Sequence, residues 1–302
     1  MAFAKRIFLF LATNLLVIVT LGFVLNLLNV QPILNAYGID YKSLLIFCAV
    51  WGMGGAFISL ALSRIMAKWM MRVQVIDPAT KDPEERKLLD TVYKLARKSG
   101  IPLPQVGVFP SNEANAFATG PTQSRSLVAV STGLLRRMKE NEVEAVLGHE
   151  ISHIANGDMV TMTLLQGIVN AFVMFLARVI ALALSGLGKR SENNSGGSYM
   201  SYYLFTYLFE IVFMILGSLV IAAYSRRREF RADAGGAKLA GKDSMISALK
   251  ALRSLQEIKD PRIEKEEMAA FKISHPGKKG FLRLFATHPP LEDRIERLVR
   301  GL

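Results

Sequence analysis

The pentapeptide His149-Glu150-Ile151-Ser152-His153 sets two imidazoles four residues apart. On a helix that spacing puts both rings on one face, where they can reach a single ion, with Glu150 leaning beside it as a base for an activated water. A catalytic metal of this kind takes a third protein ligand and keeps one position open. The chain has only two other histidines, His275 and His288, both C-terminal. A downstream carboxylate is the other option. Glu229, in Arg228-Glu229-Phe230-Arg231-Ala232-Asp233, is the candidate, because an acid among arginines just past an apolar run calls for a reason. A salt bridge to those arginines is the alternative. Asp233 falls one helical turn later on the same face, suited to hydrogen-bond a ligand imidazole and fix its tautomer.

The elements that must carry these residues are signalled locally. Asn141 with Glu144 three residues later starts a helix through Val143, Val146 and Leu147 that ends near Gly157, so the two histidines ride its last turns. Upstream, Asp82-Pro83-Glu84-Glu85 supplies an N-cap, a proline at the first helical position and a capping-box acid. Leu88, Leu89, Val92 and Leu95 follow at helical spacing before a stop at Gly100. Between these helices, short β-like runs at Val106 to Phe109, Asn115 to Thr119 and Leu127 to Ser131 predict a small antiparallel sheet.

On either side of this segment the chain turns apolar. Of its 302 residues 51% are hydrophobic and 21% charged, and the mean hydropathy is +0.29, values that point to a membrane protein. Four uncharged or nearly uncharged stretches are long enough to cross a bilayer: about 7–29, 43–63, 159 onward past Arg178, and 202–224 interrupted by Glu210. The first follows Lys5 and Arg6 but is too long for a signal peptide and lacks a small-residue cleavage site, so it is expected to remain as an anchor. Lysines and arginines flank the starts and ends that put both termini and the middle segment on the cytoplasmic side; Lys189 and Arg190 run against that pattern. Arg178 and Glu210 reach comparable depths in spans three and four, and a lone charge there is costly, so the two are expected to form a structural ion pair.

Four regions result: 1–71 with two spans, 72–158 as a cytoplasmic segment with a small sheet and the histidine helix, 159–225 with two more spans, and 226–302 as a cytoplasmic segment that completes the metal site. The formal net charge of +12 then has a location. Residues 72–158 hold eleven basic and eleven acidic side chains, whereas 226–302 hold eighteen and eleven. The surplus lies along membrane edges and no nucleic-acid-binding motif accompanies it, so the partner it implies is the lipid bilayer and not nucleic acid. The single cysteine, Cys48, excludes an internal disulfide framework and a cysteine-based metal site.

Taken together, His149-Glu-x-x-His153, Ser225-Arg-Arg-Arg-Glu229-Phe-Arg-Ala-Asp233, Asn115-Ala116-Phe117-Ala118 and Thr287-His288-Pro-Pro-Leu-Glu-Asp-Arg294 resemble the HtpX family of bacterial inner-membrane zinc metalloproteases and, more distantly, the eukaryotic CAAX prenyl endoprotease. The resemblance covers essentially the whole chain. It implies a membrane α-helical protein with four transmembrane helices and an α+β cytoplasmic zincin (gluzincin-like) metalloprotease domain. It implies one zinc ion per chain held by His149, His153 and Glu229, with Asp233 behind the ligands and His288 and Arg294 at the site. It also implies that Asn115 to Ala118 form the edge strand that receives substrate; the residues alone allow a plain structural strand.

In this chemistry Glu150 accepts the proton of a zinc-activated water and passes it to the leaving amine, while His288 or Arg294 supplies a donor to the oxyanion. The expected activity is zinc metalloendopeptidase action (EC 3.4.24 class) on cytoplasmic segments of misfolded or damaged membrane proteins, in quality control and stress response. An ATP-dependent membrane protease is the partner the resemblance suggests. A transporter would explain the spans but not the capped histidine helix. A zinc-stabilised membrane adaptor without proteolytic activity has no use for Glu150, and that residue separates the two readings.

Overall fold

The computed structural model describes residues 40–187, 195–257 and 280–301. The expected first span, Lys189, Arg190 and His275 lie outside them. Contacts divide the described residues into two compact units, one falling within 40–59 and 162–221 and the other within 60–161 and 222–301. The boundaries fall inside three long helices, α1 (Tyr41–Met70), α5 (Asp158–Leu187) and α6 (Ser195–Ala240).

Those three helices are long and apolar enough to cross a membrane, over Lys42–Met70, Asp158–Ser185 and Met200–Ala240. Each is longer than the charge-free run that signalled it. The third is 41 residues, which at about 1.5 Å per residue is roughly twice what a bilayer needs. The reason is that Arg226 to Ala240 continue the same helix, so Glu229 and Asp233 sit on the extension of its apolar run. Within the first unit, Leu45 and Cys48 of α1 pack against Ala171, Phe175, Val179 and Leu182 of α5. Arg178 Nη1 lies 2.7 Å from Glu210 Oε1, joining α5 to α6.

The second unit is α+β. Helix α2 (Pro83–Lys98) starts as its sequence dictates: the Asp82 side chain accepts from the N–H groups of Glu84 and Glu85, at 2.8 and 3.1 Å, and Pro83 occupies the first turn. Its buried Leu88, Leu89, Val92 and Leu95 join a core with Val106, Val128 and Val130 of the sheet and Leu147, Ile151 and Ile154 of α4 (Glu140–Asn156). Helix α7 (Lys242–Glu257) and α8 (Leu291–Arg300) close the same core through Leu249 and Leu298.

The sheet is mixed, correcting the antiparallel expectation. Its order is β1-β2-β4-β3, with β1 Gln74–Val75, β2 Gln105–Phe109, β3 Ala116–Thr119 and β4 Leu127–Ser131. The chain passes from β2 to the far edge as β3, then reverses through the 3-10 turn Gln123–Arg125 into β4, which therefore runs parallel to β2. The all-buried run of β4 suits the interior position. Two-residue β1, exposed at both positions, carries no alternation to detect.

Helix α4 begins one residue before the expected Asn141. The closing acid is Glu142, whose Oε2 accepts the Lys139 N–H at 2.9 Å while Oε1 accepts from Ser247 Oγ at 2.7 Å. Short helix α3 (Thr132–Arg137), capped by Ser131 Oγ, links β4 to it.

Candidate metal centre and active site

Helix α4 buries His149, Glu150 and His153, at 2%, 5% and 8% exposure. Helix α6 lies against it at close range because Gly235 and Gly236 have no side chains. A Cβ on Gly235 would stand 2.4 Å from Ser152 Oγ, and one on Gly236 3.0 Å from the backbone nitrogen of His149. Any larger residue there would displace Glu229 and Asp233, the groups that α6 carries to the histidines.

The two imidazoles meet edge to face with Nε2 atoms 3.1 Å apart. Glu229, fully buried, places Oε1 3.2 Å from His153 Nε2 and Oε2 3.6 Å from His149 Nε2. One ligating atom from each of the three lies within 4.8 Å of the others. Glu229 Oε1 has no hydrogen-bond partner among the described residues. A buried carboxylate whose one oxygen lacks a donor and whose two oxygens each face an imidazole nitrogen is what a bound cation satisfies.

Both remaining ring nitrogens are held. His149 Nδ1 is 2.9 Å from Asp233 Oδ1, and His153 Nδ1 is 2.6 Å from Asp158 Oδ2. Arg294, 1% exposed, donates through Nε and Nη2 to the two oxygens of Asp233 at 2.8 and 2.5 Å. Its Nη1 has no hydrogen-bond partner among the described residues and stands 3.8 Å from Glu229 Oε2. His288 Nδ1 lies 2.7 Å from that same Oε2. The salt-bridge alternative for Glu229 fares poorly: Arg228, its nearest arginine on α6, approaches only to 3.9 Å.

Charge balance agrees. Glu150, Asp158, Glu229 and Asp233 are all buried, against Arg294 as the one buried arginine among the described residues. Such an excess of negative charge is costly unless further positive charge shares the site. Burial pushes the His153 pKa down, but the charge of Glu229 and the hydrogen bond to Asp158 outweigh it and raise it to about 9. His149 is raised too, burial being overcome by Asp233 and Glu229. Arg294 is pushed further up against the cost of burial, chiefly by the charge of Asp233. A metal ion takes the place of such protons. Two imidazoles and a carboxylate are a donor set suited to zinc.

Among the four residues expected to receive substrate, the structure separates two pairs. Strand β3 stands at the sheet edge. Ser131 N–H donates to Asn115 O at 2.8 Å, and the register pairs Ala116 with Val130. Antiparallel alternation then turns the backbone groups of Asn115 and Phe117 toward β4 and those of Ala116 and Ala118 toward the open edge. Asn115, Ala116 and Phe117 are all buried, Phe117 packed on Phe109, so of the two residues turned toward the edge only Ala118 keeps accessible surface. Arg178 and Glu210 belong to the first unit and are not part of this cluster.

Several positioning residues escaped the sequence reading. Asp158 holds His153. Gln123 Nε2 donates to the carbonyls of Ile154 and Ala155 at 3.2 and 3.0 Å, pinning the end of α4 to the loop after β3. Arg226 Nη1 donates to Leu284 O and Ala286 O, both at 2.8 Å, anchoring the segment that leads to His288. Adjacent glycines on α6 and an acid directly after Gly157 were the available signals.

Known proteins are similar to this chain over most of its length. The profile of Peptidase family M48 matches residues 82–301. The chain is 52% identical over 296 residues to Protease HtpX of Thioalkalivibrio sulfidiphilus (strain HL-EbGR7), covering 97% of this chain and 98% of that protein. It is 50% identical over 299 residues to a Protease HtpX homolog of Methylacidiphilum infernorum (isolate V4), with 98% of each covered. Over 302 residues it is 51% identical to a Protease HtpX homolog of Bacillus licheniformis, covering 97% and 98%. In fold it is similar to the crystal structure of S. mikatae Ste24p, with a TM-score of 0.60 at 18% sequence identity, over 96% of this chain and 66% of that one. Identity near 50% across almost the full length of both chains means that this chain belongs to peptidase family M48, among the HtpX proteases, and is a membrane-associated metalloprotease.

Proposed function

We propose that the chain is a zinc-dependent endopeptidase of the bacterial inner membrane that cuts cytoplasmic segments of misfolded or damaged membrane proteins. The observation that carries this reading is the convergence of His149, His153 and Glu229, with Glu150 buried on the same helix. Bound by these three residues, zinc supplies Lewis acidity, acidifying water and polarising a carbonyl. Glu150 takes the proton of the attacking water and delivers it to the leaving amine. His288, bonded through Nδ1 to the carboxylate of Glu229, is the candidate donor to the oxyanion. Arg294, with two nitrogens engaged by Asp233, acts mainly by holding that carboxylate against His149, leaving Nη1 as its other contribution to the field of the site.

Substrate enters as an added strand. Ala118, turned to the sheet edge and only partly buried, presents its N–H and C=O groups to an extended segment, a mode that reads backbone and is weakly selective for sequence. Unfolded segments suit such an edge best. Arg64, Lys68 and Arg72 after the first described span and Arg226 to Arg228 after the last support a cytoplasmic placement of site and termini.

The test uses the full chain purified in detergent, stripped of metal and then given zinc. An unfolded substrate protein is expected to be cut only after zinc is restored. Glu150→Gln is expected to lose about 10²- to 10⁴-fold in rate while still binding one zinc. Full activity in Glu150→Gln would overturn the reading; zinc binding by the natural chain without any cleavage would favour the adaptor.

A further inference from the structure

The second imidazole of the pair, like the first, meets a carboxylate at Nδ1, supplied by a different element. Helix α4 ends at Gly157, whose φ of 69° reverses the chain. That reversal returns the carboxylate of Asp158, five residues beyond His153, to the imidazole: Oδ2 lies 2.6 Å from Nδ1. Asp158 is 1% exposed, and its Oδ1 faces Arg231 Nη2 at 3.6 Å. The arrangement parallels Asp233, which meets His149 Nδ1 and is held by Arg294. Two imidazoles are thus each backed by a buried carboxylate; Asp233 is hydrogen-bonded twice by buried Arg294, whereas Asp158 has the exposed Arg231 only as a neighbouring charge.

We propose that Asp158 is a positioning residue of the metal centre, accepting the Nδ1–H of His153 and so keeping Nε2 unprotonated and directed at the ion. This rests on the metal-site reading given above. A neutral imidazole carries one proton on either nitrogen; a carboxylate at Nδ1 selects the tautomer that leaves Nε2 as ligand and fixes the ring plane. Without it, the buried Nδ1 loses its partner and the Nε2–H tautomer, which cannot ligate, gains population. The carboxylate also makes the ligand more basic. Asp158 touches neither substrate nor reacting atoms; it acts through His153.

Zinc affinity of the full chain in detergent, measured by competition with a chromophoric chelator, tests this. Asp158→Ala is expected to bind zinc about 10- to 100-fold more weakly, with Asp158→Asn, which keeps an acceptor oxygen, between it and the natural chain. Should Asp158→Ala not fold, the near-isosteric Asp158→Asn loaded with cobalt(II) gives a second readout: its visible absorption bands are expected to shift from those of the natural chain, because the ligand backed by the carboxylate has changed. Unchanged affinity in Asp158→Ala, or unchanged bands in Asp158→Asn, would overturn the proposal. Failure of the natural chain itself to bind zinc would overturn the metal-site reading instead, so the two failures are distinguishable.

Discussion

Arg178 with Glu210 and Arg294 with Asp233 are both arginine–carboxylate pairs that join one helix to another, but their surroundings differ. Arg178 Nη1 bonds Glu210 at 2.7 Å and Met174 O at 2.8 Å, its guanidinium lies 5.9 Å from the centroid of the Phe47 ring, and each side chain of the pair keeps about a fifth of its surface exposed. Arg294 and Asp233 are 1% and 2% exposed, and the carboxylate goes on to His149. The first pair joins two helices; the second is one link in a chain ending at Nδ1 of His149, whose other ring nitrogen faces Glu229 and His153. A charge in apolar surroundings therefore says only that a partner is nearby. What the partner's remaining atoms touch decides whether the pair serves stability or chemistry.

Removing one member of each pair should expose that difference. Arg294→Ala leaves Asp233 buried without its counter-charge and is expected to cost about 3–5 kcal/mol, read as the midpoint of thermal denaturation, and to weaken zinc binding as well. Glu210→Gln leaves Arg178 a neutral acceptor in partly exposed surroundings and should cost less, about 1–3 kcal/mol, without effect on zinc affinity. Exchanging the two residues, Arg178→Glu with Glu210→Arg, should recover most of what either single change loses. Equal losses at the two pairs, or a loss of zinc affinity in Glu210→Gln, would erase the distinction.

Smaller changes sharpen it. Gly157→Ala forces a Cβ into a left-handed backbone and is expected to cost about 1 kcal/mol, part of it appearing as weaker zinc binding because Asp158 shifts with the turn. Asp90→Ala removes an ion pair with Arg86 in which both side chains are more than half exposed, and should change the denaturation midpoint by less than about 0.5 kcal/mol equivalent.

Legibility followed distance along the chain. Asp82-Pro83 and the leucines behind it describe α2 correctly because cap, proline and periodicity act within one helix. His149 and His153 describe their shared face for the same reason. Depth bookkeeping along two apolar runs matched Arg178 with Glu210, since a helix advances uniformly per residue. The strand directions did not follow, because Leu127 to Ser131 look alike whether β2 lies parallel or antiparallel to them; the detour of β3 to the sheet edge sets the direction. Asp158 read as the start of a span, and only the reversal at Gly157 shows its carboxylate returning to His153.

By itself the sequence determined the metal chemistry, its helix, the apolar spans and the charge along their edges, all of them properties of neighbouring residues and of composition. Tertiary structure decided which distant groups complete the site. Glu229 reaches the histidines because two glycines let α6 approach α4, Arg294 reaches Asp233 from 61 residues away, and Ala116 and Ala118, not Asn115 and Phe117, turn toward the open edge. Helical spacing constrains side chains a turn or two apart, whereas contacts between distant segments depend on how whole elements pack, which no short stretch of residues specifies.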